Sequence, residues 1–249
     1  MSNTNSGSSW RGLRTGMLAA LVLACGTSTA FAVDGVILID QPRALAGNVT
    51  PGDAPGFPVT LSQPGSYRLA GNLTVPAATD GIVIAADRVT LDLNGFSVVG
   101  SGTGAGISNG LIGRIGTSIR NGTVTNFEDG IVLKESAGEF ATSEIQQIRA
   151  IRNAGTGILA SANSVISGNT AVGNGEFGIS AGPASTVSDN NASRNTTGLR
   201  IEVDSLASRN TASQNSFAGM IVDCPSVFIG NAFRGLVVLG IGCTFDPLP

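Results

Sequence analysis

Between residues 81 and 240 the chain is written in short apolar–polar alternations separated by small polar residues. Leu199-Arg200-Ile201-Glu202-Val203-Asp204 is one such run. Period two sends successive side chains to opposite faces of a strand. No stretch of this region places apolar residues at i, i+3, i+4 and i+7 as a helix would require. The runs also return in register. A glycine followed by a bulky apolar residue recurs at Gly81-Ile82, Gly106-Ile107, Gly130-Ile131, Gly157-Ile158, Gly178-Ile179, Gly198-Leu199 and Gly219-Met220, with spacings of 25, 24, 27, 21, 20 and 21 residues. A unit of 20 to 27 residues is too short for a strand–helix–strand crossover, and about seven stacked coils of a β-solenoid account for it.

Further columns lock to that frame. Asn169, Asn190, Asn210 and Asn231 each follow the glycine of their coil by 12 residues, and Asn174, Asn195 and Asn215 by 17. Asn126 and Asn153 hold the place four residues before the next glycine. Ser167, Ser188 and Ser208 form another column, and Ala171, Ala192, Ala212 and Phe233 another. Stacked asparagines predict hydrogen-bonded ladders from coil to coil. The serine and alanine columns are expected where the interior is too tight for leucine. Gly and Asn between runs are expected at turns that need positive φ.

The ends read differently. Arg11 and Arg14, the apolar Met17 to Ala24 and the small-x-small Ala30-Phe31-Ala32 predict a secretory signal over residues 1–32. A rival reading takes Val22-Leu23-Ala24-Cys25 as a lipoprotein processing site with Cys25 lipidated. Residues 33–80 are expected to form an N-terminal cap and the first strands, with prolines at 42, 51, 55, 58 and 64. The repeats then occupy 81–240 and a tail 241–249. In an exported chain Cys224 and Cys243, 19 residues or about one coil apart, predict a disulfide.

Composition narrows the function. The chain has 14 Lys+Arg, 17 Asp+Glu and no His. Without the signal's two arginines the balance is −5, which argues against a nucleic-acid partner. Loss of Trp10 leaves Tyr67 and the phenylalanines as the aromatic residues.

The stretch Pro58 to Leu69, the motif Leu91-Asp92-Leu93-Asn94-Gly95-Phe96, with Asn94 in the place later held by Asn121, and the Asn and Gly-Ile columns resemble the right-handed parallel β-helix repeat proteins. That group includes pectate-lyase-like enzymes, carbohydrate-binding β-helices and NosD-type periplasmic proteins. The resemblance spans roughly residues 58 to 240 and implies the fold, an all-β, single-stranded right-handed solenoid of seven to eight coils. Its handedness also follows the general preference of parallel crossovers. The histidine-dependent chemistry that the resemblance implies for hydrolases and epimerases has no histidine to use here, and a copper role would have only Met220 and two cysteines.

Candidate chemistry therefore rests on departures from the repeat. The coil from Gly130 has 27 residues, and its extra length is expected to project near Lys134 to Glu139, with Glu128 and Asp129 before it and Glu144 after. Lys134 is the one lysine of the chain. Glu202 and Asp223 share one offset on consecutive coils, so their carboxylates are expected about 5 Å apart, able to share a proton, hold Ca²⁺ or splay into water. Glu128, Asp129, Lys134, Glu202 and Asp223 are the candidate catalytic residues, Glu202 and Asp223 the candidate Ca²⁺ ligands, and no other cofactor is implied. Asp189 and Arg209 are expected to form a surface ion pair. The expected function is an exported, non-catalytic solenoid, periplasmic, cell-surface or extracellular, that binds carbohydrate or a cell-surface glycan. The alternatives are a carbohydrate-active enzyme, as a Ca²⁺-assisted lyase or a glycoside hydrolase, and a purely structural surface protein.

Overall fold

The computed structural model describes residues 35–110, 113–135 and 141–240; the signal, Cys25, Glu139 and Cys243 lie outside them. The described chain is a parallel β-solenoid of about eight turns. Each complete turn lays down three strands, so the coil has three faces. The first face is a nine-stranded parallel sheet that runs from Val59–Leu61 through Ile158–Ala160 and Thr197–Ile201 to Leu236–Leu239. The second face begins with Ile37–Ile39 and ends with Val227–Ile229, and the third runs from Leu73–Thr74 to Ala232–Phe233. Two long strands, Ile115–Thr125 and Thr142–Ile151, cross from the second face to the third and join them into one 15-stranded sheet.

Period two and the coil repeat together build the core. The residue after each repeat glycine points inward, and Ile82, Ile107, Ile131, Ile158, Ile179, Leu199 and Met220 are all fully buried in one column of the first face. The second face contributes Tyr67, Leu91, Ile119, Ile145, Ile166 and Val187. The third contributes the smaller Ala150, Ala171, Ala192 and Ala212. A continuous apolar rod is the main stabilising element of such a solenoid.

The corners share one device. Most are turned by a single residue at positive φ, and the residue after it points inward. At the second-to-third corner Gly168, Asp189, Arg209 and Gly230 turn the chain before Asn169, Asn190, Asn210 and Asn231. At the third-to-first corner Arg152, Gly173, Arg194 and Gln214 precede Asn153, Asn174, Asn195 and Asn215. At the first-to-second corner Asn163, Ala184 and Asp204 precede Ser164, Ser185 and Ser205. Both asparagine columns are ladders. Asn190, for example, accepts from the backbone N–H and the side-chain amide of Asn169 and donates to Asn210 Oδ1 and to the carbonyl of Ile166.

Three expectations are corrected here. Asn126 is exposed at φ 59° and takes the turning slot of Arg152, while buried Phe127 takes the ladder slot and donates its N–H to Asn153 Oδ1. Ser167 and Ser188 are half-buried on the outer surface, and the interior serine column is Ser143, Ser164, Ser185, Ser205 and Ser226. The repeat glycines have ordinary φ, and from Gly81 to Gly198 they are required because no Cβ fits. On Gly157 it would stand 2.6 Å from the carbonyl oxygen of Gly178 and 2.7 Å from Asn174 Nδ2.

The N-terminal cap contains a short helix, Gln41–Ala46, that the proline-rich sequence had not suggested. Pro42 sits in its first turn, where its missing N–H costs nothing, and Asp40 caps it by accepting from Arg43 N–H at 2.9 Å. Asn94 and Asn121 both have positive φ at the same corner, but the turn at Asn94 is longer by two residues, Asp92 pairing with Arg120 and Ser97 with Thr123.

Candidate functional site

The first-to-second corner is where the coils differ most. In the later coils it is passed in a few residues, as from Ala160 to Ser164, whereas in the coil of Gly130 the chain travels from Val132 to Ser143. The extra length predicted for this coil is thus inserted at one corner, and Lys134 and Glu135 form its described beginning. Asn109, itself buried, holds Lys134 by accepting its N–H at 2.9 Å and donating Nδ2 to its carbonyl at 2.6 Å.

Beside that insertion lies a recess of about 210 Å³, to which Lys134, Glu135, Ser161, Ser180, Pro183 and Glu202 contribute. Four successive coils supply its wall. The backbone ladder fixes their spacing, with Leu133 N–H on Leu159 O, Gly182 N–H on Ala160 O and Glu202 N–H on Ala181 O at 2.9 to 3.1 Å. Gly182 lets the wall close up, since a Cβ there would stand 2.7 Å from the nitrogen of Ala162. Ser180 is buried in the first face and pairs in register with Leu159 on one side and Arg200 on the other.

Arg200 organises the acidic part. The register pairs Ile201 with Val222, which puts Glu202 and Asp223 on adjacent coils. Arg200 Nη2 lies 3.5 Å from Glu202 Oε1 and 3.1 Å from Asp223 Oδ2. A guanidinium shared by two carboxylates offsets half of their charge and orients both. Among the described residues no group of three or more His, Cys, Asp or Glu comes together as a metal site.

The other candidates lie elsewhere. Glu128 and Asp129 stand at the opposite end of the strand Asp129–Val132, about 16 to 20 Å from Lys134 at the rise of an extended chain. Asp129 Oδ1 accepts the N–H of Thr156 one coil on, as Asp80 Oδ1 accepts that of Ala105, so both aspartates tie neighbouring coils together. Asp189 and Arg209 form a bidentate ion pair at 2.7 and 2.8 Å on the second-to-third corner. The guanidinium hydrogen bonds hold the Asp189 carboxyl below the usual carboxylate range. Cys224 is disulfide-bonded, and its expected partner Cys243 lies outside the described residues.

Sequence reasoning reached Lys134 and Glu202 separately and did not join them. It missed Ser161 and Ser180, whose wall could have been traced by carrying the Gly-Ile register a few residues past each strand. It also missed the interior hydroxyl column, although Ser164, Ser185, Ser205 and Ser226 recur at 21, 20 and 21 residues.

Among the described residues no helix is long and apolar enough to cross a membrane. The family described as "Right handed beta helix region" matches residues 72–240 of the 249-residue chain. No curated protein and no solved structure matches the chain significantly.

Proposed function

The chain belongs to the right-handed β-helix family, and from that premise we propose that it is an exported, non-catalytic solenoid that binds carbohydrate or a cell-surface glycan at its first-to-second corner. The observation that carries this reading is that Lys134 and Glu202, from different coils, line one recess with the hydroxyl-bearing Ser161 and Ser180. A rigid wall of amine, carboxylate and hydroxyl groups is what a polyhydroxylated ligand can hydrogen-bond to without reorganising the protein. A recess formed next to a corner insertion, on an otherwise even scaffold, is also where binding groups are commonly found.

The enzyme reading would use the same carboxylates. Arg200 favours binding over general acid–base work, because its guanidinium already occupies an oxygen of Glu202 and one of Asp223, and a reacting group would have to displace it to reach them. Export is supported by the predicted signal over residues 1–32 and by the disulfide at Cys224, which suits an oxidising compartment.

Titration calorimetry with soluble oligosaccharides tests the reading. Lys134→Ala and Glu202→Gln are expected each to weaken binding by about tenfold, the worth of one charge-assisted hydrogen bond, with no release of reducing ends from the same polysaccharides. Binding unaltered in both variants, or cleavage abolished by Glu202→Gln, would overturn it.

A further inference from the structure

We propose that Arg68 and Arg120, on the outer surface of the second face, form a subsite for a tetrahedral oxyanion, either a sulfate or phosphate monoester on a glycan or the free ion. The inference goes beyond the glycan reading and does not rest on it, because it concerns a different surface and a charged group.

The site follows from the register. Tyr67, Leu91 and Ile119 are one inward column of the second face, so the residues after them, Arg68, Asp92 and Arg120, stack outward on three consecutive coils. Both arginines turn to the aspartate between them. Arg68 Nη2 lies 3.9 Å and Arg120 Nε 3.4 Å from the same oxygen, Asp92 Oδ2. The other oxygen, Oδ1, is already engaged, accepting the backbone N–H of Asn94 at 2.8 Å and Asn121 Nδ2 at 3.3 Å. The Asp92 side chain is 13% exposed, whereas those of Arg68 and Arg120 are 44% and 46% exposed. The carboxylate thus lies beneath two guanidiniums that reach solvent.

One carboxylate neutralises one guanidinium, so the cluster keeps a net positive charge. Among the described residues neither arginine meets a second carboxylate within 4.0 Å. Glu144, one coil beyond Arg120, accepts from Ser118 Oγ at 3.4 Å instead. Among the same residues Arg68 makes no side-chain hydrogen bond and Arg120 makes one, through Nε, so most of the donors on the two forks are open to a ligand. Two like charges held against one oxygen repel each other, and a bound anion relieves that repulsion. With both guanidiniums anchored on one oxygen, a single oxyanion can span them through hydrogen bonds of about 2.9 Å on each side. One fork takes up both oxygens of a carboxylate, whereas a sulfate or phosphate monoester has a further terminal oxygen for the second fork. The pair is therefore selective for tetrahedral oxyanions over uronates. On a chain of net charge −3 it is a local feature, not a general affinity for anions.

The experiment is an NMR titration of the purified protein that follows the arginine Nε–H signals at constant ionic strength. The probes are inorganic sulfate, inorganic phosphate, a κ-carrageenan hexasaccharide, its desulfated form and trigalacturonate. At least one sulfate or phosphate probe is expected to shift Arg68 and Arg120, and Arg68→Gln and Arg120→Gln are each expected to weaken it by about tenfold. Both substitutions fall on exposed side chains and are expected to melt near the parent. Arg234→Gln removes one charge from an exposed arginine of the last coil and is expected to leave the affinity unchanged. Tighter binding of the sulfated hexasaccharide than of the free ions identifies a glycan ester as the source, and the reverse order a free ion; either supports the oxyanion chemistry. Equal affinity in the parent and both arginine variants, the same loss in Arg234→Gln, or trigalacturonate binding as tightly as the sulfated hexasaccharide overturns the inference. Absence of any shift at Arg68 and Arg120 also overturns it, and shifts of Lys134 and Glu202 with the desulfated hexasaccharide would then leave the glycan reading standing.

Discussion

The side-chain nitrogen of Asn174 stands 2.7 Å from the point where a Cβ on Gly157 would be. The two columns that define the repeat are therefore one structure, since the glycine column leaves room for the asparagine ladder and for the carbonyl of the next coil. Gly157→Ala is expected to destabilise the protein by about 1–3 kcal/mol, the usual cost of overpacking. Asn174→Ala in the same chain is not expected to rescue it, because the carbonyl oxygen of Gly178 stands 2.6 Å from the same point. Thermal melts of the two single variants and the double variant measure this, and a full rescue would show that the ladder alone excludes the methyl.

Asn190 tests the ladder itself. At 2% exposure its side chain makes four hydrogen bonds of 2.9 to 3.0 Å, two accepted and two donated. Asn190→Ala leaves those partners unsatisfied and is expected to cost on the order of 3 kcal/mol. Asn190→Asp keeps the acceptor and turns a carboxylate oxygen toward Ile166 O and Asn210 Oδ1. Burial and those oxygens raise its pKa in the folded state, so its stability falls as pH rises and it is expected to melt higher near about pH 4 than near about pH 7. Equal melting at the two values would contradict this account of the ladder.

Fold was legible in the sequence because stacking writes itself into spacing. Gly157, Gly178 and Gly198, or Asn169, Asn190 and Asn210, recur because each must meet its own counterpart one coil away. What spacing does not reveal is the conformation at each position. Asn126 lies four residues before its glycine, as Asn153 does, yet Phe127 fills the ladder slot; a one-residue offset reverses inside and outside. Ser167 and Ser164 belong to columns of nearly equal regularity, and only the turning residue before Ser164 shows which one faces in. The candidate site was less legible still. Lys134 and Glu202 come from coils three apart in the stack, and their common recess depends on where the 27-residue coil spends its extra length.

The Asp189–Arg209 pair sets a pH dependence. Asp189 has a folded-state pKa below its ordinary value of 3.8, held there first by the Arg209 hydrogen bonds. Its contribution to stability is present above that ordinary value and is lost as pH falls through the lowered one. Both side chains are exposed. The coupling in an Asp189→Asn, Arg209→Met double-mutant cycle is therefore expected to be small, to vanish at acid pH and to shrink with salt. Coupling that persists at a pH low enough to protonate the Asp189 carboxyl would show that the pair acts through packing.

Arg200 is expected to decide the response to calcium. With its guanidinium on both Glu202 and Asp223, added Ca²⁺ is expected to leave the parent's melting temperature unchanged. Arg200→Gln removes the shared cation from the carboxylate pair, and Ca²⁺ is then expected to raise the melting temperature by about 2–4 °C, equivalent to 1 kcal/mol in a domain of this size. A calcium shift in the parent protein of the same size as in Arg200→Gln would mean that the cation binds elsewhere.

The central claim is that the first-to-second corner recognises a glycan. The most direct measurement is a glycan array probed with the purified protein alongside Lys134→Ala and Glu202→Gln. The account predicts glycan binding by the parent and about tenfold weaker binding in both variants, with melting temperatures unchanged. Absence of any bound glycan at millimolar ligand concentration, or the same pattern for all three proteins, would contradict it.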